Sequence, residues 1–244
     1  MSIIDCCCTI GDSNHAEPSA DMLLAEMDNA EVDRAVISPP ALCYAWENES
    51  GNDFIMQAAI RRPDRFIPTA TVNPWRQDAW EIIKKYIDAG AKMLTFSPQV
   101  QGFNVSGDKL DGVLEKMLAE GFNMPVYVHT GHYSFSAPSQ LALLAKRFGN
   151  LNFIMGHSGS TDYKSDTIPV CSVCENIYPE SSFARPQSFV EKAEKFGFER
   201  ALMGSGFPYN QLEFEFSEMK RLLPKEHQKA VLGGNLTRLM EQQQ

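Results

Sequence analysis

A closed (β/α)8 barrel is the fold that this 244-residue chain predicts. Three observations carry the prediction. Short apolar, β-branched runs alternate with longer segments of helical periodicity about eight times, the pattern that sets parallel strands side by side with helices outside them. A hydrophobic content of 43% over this length can bury one sizeable core. Two of the apolar runs end in histidine, at the strand ends where a barrel gathers its chemistry.

In chain order the expected strands cover residues 3–9, 35–38, 66–72, 92–96, 126–129, 152–157, 177–181 and 201–205. Helices fill the intervals. Ser19 stands as an N-cap before DMLLAEMDNA, and Gly90, Gly121 and Gly149 fall where helices should stop. The segment 41–52, which runs into YAWENESGND, reads as the longest loop near the active face, a lid or a contact with a neighbouring subunit. One domain spanning 1–244 is expected. An open doubly wound sheet shares the alternation, but no G-x-G-x-x-G follows the first strand and no G-x-x-x-x-G-K-[ST] occurs. Such a sheet would lack the backbone amides that usually hold phosphates there.

Charge narrows the function. The net charge is −9, with 22 Lys and Arg against 31 Asp and Glu, which excludes an electrostatic nucleic-acid footprint and favours a small-molecule substrate. No stretch approaches the ~20 apolar residues needed to span a bilayer, and no charged segment followed by an apolar run opens the chain. The expectation is a cytoplasmic protein without a membrane partner. Its six cysteines form a run at Cys6, Cys7 and Cys8, a single Cys43, and a C-x-x-C at Cys171 and Cys174. That distribution is unlike a secreted disulfide framework, and the C-x-x-C has no second pair at zinc-ribbon spacing, so all six read as reduced thiols.

The chemistry centres on His129 in PVYVHTG and His157 in NFIMGHSG. Each ends an apolar strand and precedes a small pair, Thr130-Gly131 or Ser158-Gly159, so the chain can turn at once and leave the imidazole facing a pocket. A lone histidine of this kind is commonly a hydrogen-bonded core residue; two at matching positions on neighbouring strands point to a site.

These segments resemble the amidohydrolase-related metal-dependent hydrolases, in the subgroup of the carboxymuconate-semialdehyde decarboxylase-like enzymes. IIDCCCTIG matches an opening I-D-x-H-x-H-x-G, and the two histidine segments match the motifs of strands five and six. RALMGSGFP matches R-x-L-x-G-S-D-x-P, and VLGGNLTRLM matches a closing G-x-N-A-x-R-L. The resemblance implies the same barrel, a divalent metal, usually zinc, at its mouth, and a homodimer. It also implies that the metal activates water and that a strand-eight aspartate takes the proton. Here Cys7 and Thr9 occupy the two histidine places and Gly206 the aspartate place, so only His129 and His157 match.

Cysteine can replace histidine on zinc. Strand alternation puts Cys7 and Thr9 on the side of Asp5, with Cys6 and Cys8 turned to the helices. Cys7, His129 and His157 therefore form a candidate site for zinc or another divalent ion, with Asp5 or Glu180 as a fourth group or base. The alternative keeps the scaffold without a metal. An imidazole, ordinarily titrating near about 6.5, then acts as base, and Thr9, Ser158 or Ser205 donates to an oxyanion. Tyr209 replaces part of the polarity lost at Gly206. In a third reading Cys7 is a nucleophile beside a histidine. His15 and His132 are further nearby imidazoles; Tyr44, Trp46 and Phe103 are candidate pocket walls, and His227 a solvated helix-end residue. The expected function is a hydrolase, or a related decarboxylase, acting on a small carboxylic acid, lactone or ester through an altered or absent metal site. A catalytically silent binding barrel is the alternative.

Overall fold

The computed structural model describes residues 2–11, 18–131, 134–160 and 163–241. His15 and His132 lie outside the described residues. The first half of the chain runs β1 (Ile4–Thr9), α1 (Ala20–Asn29), β2 (Arg34–Ser38), α2 (Ala41–Ala45), α3 (Asn48–Arg61), β3 (Phe66–Ala70), α4 (Ala79–Asp88), β4 (Met93–Phe96), α5 (Pro98–Gln101) and α6 (Asp111–Ala119). The second half runs β5 (Val126–His129), α7 (Pro138–Arg147), β6 (Phe153–Gly156), α8 (Thr167–Val173), β7 (Ile177–Pro179), α9 (Pro186–Phe196), α10 (Leu212–Leu222), α11 (Lys225–Lys229) and α12 (Asn235–Glu241). Ser19 caps α1, accepting from Met22 N at 3.3 Å.

The seven strands pair in sequence order, all parallel. The expected eighth strand is replaced by a bridging segment. Isolated bridges join Leu202 to Glu180 and Phe207 to Cys8, and Leu202 N donates to Pro179 O at 2.9 Å, Cys6 N to Met203 O at 2.9 Å and Thr9 N to Phe207 O at 2.8 Å. These bonds close the ring and give the (β/α)8 architecture. A regular ladder is broken because Gly206 holds a left-handed φ of 77° and β1 shifts register between Asp5 and Cys8.

That shift corrects the expected alternation. Ile4 and Cys6 both enter the inner cluster with Val36, Ile67, Met93, Tyr127 and Leu202, and Cys7 packs against the same cluster. Cys8 instead joins the layer between strands and helices with Leu23, Met27 and Ile37. An extra residue on one strand lets two neighbours point the same way, so Cys6 does not face the helices.

Segment 41–52 is not a loop. It forms α2 and the start of α3, and buried Asn48 joins them by donating to Cys43 O at 2.6 Å and Tyr44 O at 2.9 Å. This anchoring carries Tyr44 over the barrel mouth and leaves Trp46 outside, 81% exposed. Phe103 lies in the core, and His227 stacks on Phe198 with ring centres 4.2 Å apart. Cys171 and Cys174 are buried free thiols at the end of α8. No helix among the described residues is long and apolar enough to cross a membrane.

Candidate active site

Strands β5 and β6 bring the two histidines together, since His129 pairs with Gly156, the residue before His157. Thr130 staples the strand ends, donating to Gly156 O at 2.6 Å and accepting from Gly159 N at 3.0 Å. His157 and Ser158 then take left-handed φ values of 65° and 48°. That conformation costs roughly 1–2 kcal/mol per residue and needs compensation. It comes from His157 N donating to Glu180 Oε2 at 3.1 Å, Ser158 Oγ to Glu180 O at 2.7 Å and Thr167 Oγ1 to Ser158 O at 2.7 Å.

The side chains form one continuous chain of hydrogen bonds. His129 Nδ1 lies 2.8 Å from His157 Nε2, and His157 Nδ1 lies 2.7 Å from Ser182 Oγ. Ser182 Oγ and Tyr127 OH each donate to Glu180 Oε2 at 2.7 Å. At the outer end Tyr44 OH lies 3.3 Å from His129 Nε2 and 3.1 Å from Thr95 Oγ1. Burial pushes the Glu180 carboxyl up, and its hydrogen bonds from Ser182, Tyr127 and His157 oppose that push. Burial, and next the Glu180 charge, drives the Cys7 thiol well above its ordinary range. Burial likewise raises the Tyr44 and Tyr127 phenols, so all three stay protonated at neutral pH.

The mouth holds a cavity of about 230 Å³ whose polar edge is Thr9, Tyr44, Ser97 and the two imidazoles. Phe183, Phe207 and Tyr209 supply aromatic wall, and no Lys, Arg, Asp or Glu lines it among the described residues. A larger hollow of about 350 Å³, lined by Leu24, Phe54 and Arg61, has no histidine or cysteine among its described lining residues and is a groove between α1 and α3.

The sequence candidates separate accordingly. Cys7, Thr9, His129, His157 and Tyr209 line the cavity. Asp5 does not; its carboxylate accepts from Cys7 N at 3.0 Å and Ser205 N at 2.9 Å and thereby ties β1 to the bridging segment. Ser205 Oγ accepts from Phe207 N, and the Ser158 hydroxyl is engaged with Glu180 O, so neither faces a substrate. Glu180 sits behind the histidines, fully buried. Ser182 was missed by sequence reasoning, because a serine in SSFARP carries no signal of its own; only its place after β7 gives it a role. A half-buried Cys7 whose thiol stays protonated does not suit the nucleophile reading.

Does this mouth fit the family's metal? The trio Cys7, His129 and His157 is not the group that converges. Among the described residues, the ligand atoms of Cys7, His157 and Glu180 lie within 4.8 Å of one another, and His129 is outside that group. Their chemistry would suit a zinc-like ion, yet both His157 nitrogens and the Glu180 carboxylate already hold short hydrogen bonds. On the bridging segment a Cβ at Gly206 would stand 2.9 Å from the Phe183 ring, so an aromatic edge occupies the approach that an aspartate would need. The family's ligand set does not fit here.

Comparison with known proteins gives the same architecture. The chain superposes on an uncharacterized TIM-barrel protein from Bordetella bronchiseptica with TM-score 0.81 and 18% identity, covering 99% of each chain. It matches a 2,6-dihydroxybenzoate decarboxylase from Rhizobium with TM-score 0.75 and 15% identity, again over 99% of each. A 5-carboxyvanillate decarboxylase from Novosphingobium aromaticivorans, complexed with manganese and 4-hydroxy-3-methoxy-5-nitrobenzoic acid, matches with TM-score 0.77 and 13% identity over 98% of this chain and 96% of that one. No curated protein sequence matches significantly. The amidohydrolase family model matches residues 15–240, and the chain belongs to that amidohydrolase family.

Proposed function

We propose that the protein is a metal-independent hydrolase of small uncharged esters or lactones, with His129 as general base. The observation that carries this reading is the hydrogen-bonded chain from His129 through His157 and Ser182 to Glu180, opening into a cavity that no charged side chain lines among the described residues. A carboxylate substrate would find no Lys or Arg among the described lining residues, whereas a neutral carbonyl needs only hydroxyl donors, which Thr9, Ser97 and Tyr44 supply. A water at His129 Nε2 gives it a proton while the water oxygen bonds to the carbonyl carbon. The bond from that carbon to the leaving alkoxide oxygen then breaks, and the alkoxide takes the proton from His129.

The test is turnover by chelator-treated protein of a panel of neutral lactones and esters beside aromatic carboxylic acids. Hydrolysis of the neutral compounds, reduced roughly 10²- to 10⁴-fold by His129→Ala, is expected. Release of carbon dioxide from the acids, with the esters untouched, would instead assign the chain the chemistry of its decarboxylase neighbours. Stoichiometric metal that activity requires would refute the metal-independent reading.

A further inference from the structure

We propose that Ser182 is a positioning residue: by donating its hydroxyl hydrogen to Glu180 it fixes the tautomer of His157, and through His157 that of His129, leaving the His129 Nε2 lone pair on the cavity side. Neither Glu180 nor Ser182 belongs to the motifs that identify the family. The assignment of a role in catalysis rests on the hydrolase reading; the direction of the hydrogen bonds does not.

The argument begins at the buried end. Four donors converge on Glu180: Tyr127 OH, Ser182 Oγ, Ser182 N and His157 N. The ionised carboxylate has no hydrogen to give, so it acts purely as an acceptor toward all four. Ser182 has one hydroxyl hydrogen, committed to Oε2, and can therefore only accept from His157 Nδ1 at 2.7 Å. A neutral imidazole protonated at Nδ1 presents a lone pair at Nε2. The 2.8 Å contact to His129 then requires the hydrogen on His129 Nδ1, which leaves Nε2 of His129 as the basic atom. Tyr44, kept as a phenol 3.3 Å away, has Thr95 Oγ1 at 3.1 Å as a second acceptor, so its hydrogen can swing aside and open that lone pair to a water.

The opposite direction has a specific penalty. Turning the Ser182 hydrogen toward His157 would set two lone pairs, those of Ser182 Oγ and Glu180 Oε2, facing each other at 2.7 Å in a buried site. One buried carboxylate thus sets proton positions across two imidazoles, and the cavity end inherits a base already in the useful tautomer. Among the described residues, the other titratable groups packed on this chain, Cys7, Tyr44 and Tyr127, remain protonated and supply no competing acceptor charge.

The experiment is long-range ¹H–¹⁵N correlation spectroscopy of the uniformly ¹⁵N-labelled full chain, at a pH where imidazoles are neutral, with His129→Gln and His157→Gln for assignment. Wild-type His129 and His157 should both show the Nδ1–H tautomer. Ser182→Ala should move His157 toward the Nε2–H form and lower kcat at least about tenfold, because a misoriented tautomer cannot accept the proton. Ser182→Thr, which keeps the hydroxyl, should restore both. An Nε2–H tautomer for either histidine in the wild type would overturn the proposal, as would unchanged tautomers in a folded Ser182→Ala. The wild-type spectrum decides the direction even where Ser182→Ala does not fold. A wild-type protein with both Nδ1–H tautomers that hydrolyses nothing supports the relay and overturns the hydrolase reading.

Discussion

The ring of Phe183 stands 2.9 Å from the point where a Cβ on Gly206 would lie. Gly206 itself holds φ 77°, a backbone state that side chains rarely adopt. The residue that would restore the family's aspartate therefore meets both strain and contact. Gly206→Asp should destabilise the protein by about 1–3 kcal/mol in urea denaturation, and equilibrium dialysis against manganese or zinc should still find far less than one ion per chain. Adding Phe183→Ala should recover part of the stability. Tight stoichiometric binding by Gly206→Asp alone would show that the mouth accommodates the ion after all.

Two further glycines make room for the buried carboxylate. A Cβ on Gly204 would overlap Glu180 Oε1, and one on Gly156 would come 2.5 Å from the Tyr127 ring. Gly204→Ala should lower stability by about 1–3 kcal/mol, and displacing Glu180 should also reduce turnover. Equal activity per folded molecule, with only the melting temperature lowered, would separate Glu180 from the working site.

Alkylation gives a direct check on the cysteine run. Since burial and the Glu180 charge keep the Cys7 thiol protonated, iodoacetamide at neutral pH should leave it unmodified in the native protein and label it after unfolding in urea. Rapid native labelling of Cys7, mapped by mass spectrometry, would revive a nucleophilic role.

Glu215 on α10 introduces a pH dependence of stability. Burial first, then the charges of Asp5, Glu180 and Glu218, push its carboxyl up to about 7 from an ordinary 4.5. Between these values the folded state binds more protons than the unfolded chain, so this contribution to stability is complete below the lower value and is lost as pH rises toward the upper. The group is half-buried, and solvent screening limits the effect to about 1 kcal/mol. Glu215→Gln should therefore be more stable than the wild type at about pH 8 in urea titrations, with the difference shrinking at about pH 5. No difference at either pH would remove Glu215 from the account.

How much of this was legible in the chain depends on the kind of signal. The barrel follows from alternation, and seven strands form where apolar runs occur, because helix and strand periods differ enough to be read directly. The eighth run, ALMGS, has the right composition, but Gly204 and Gly206 and the irregular partner β1 reduce it to bridges. Three consecutive cysteines carry no periodicity, so nothing in CCC announces a bulge that sends Cys6 inward. His129 and His157 were visible from their strand ends. Ser182 and the depth of Glu180 were not, since their roles arise from side chains meeting 25 and 23 residues apart from His157 in sequence. Asp5 and Ser205 had the right residue types and the wrong placement: backbone amides claim the carboxylate and the hydroxyl alike.

The bridging segment gives the ring an uneven seam. Strands β4, β5 and β6, which include the bearers of the paired imidazoles, are laced by continuous ladders, whereas the join between β7 and β1 depends on a handful of separate contacts through Leu202, Met203 and Phe207. Slack in the barrel is therefore concentrated on one flank. Amide protons of residues 202–207 should exchange with solvent sooner than those of β5. Opening there would part Cys7 from Glu180 while the two histidines kept their spacing, and it would loosen the Glu180 and Ser182 end that sets their protons.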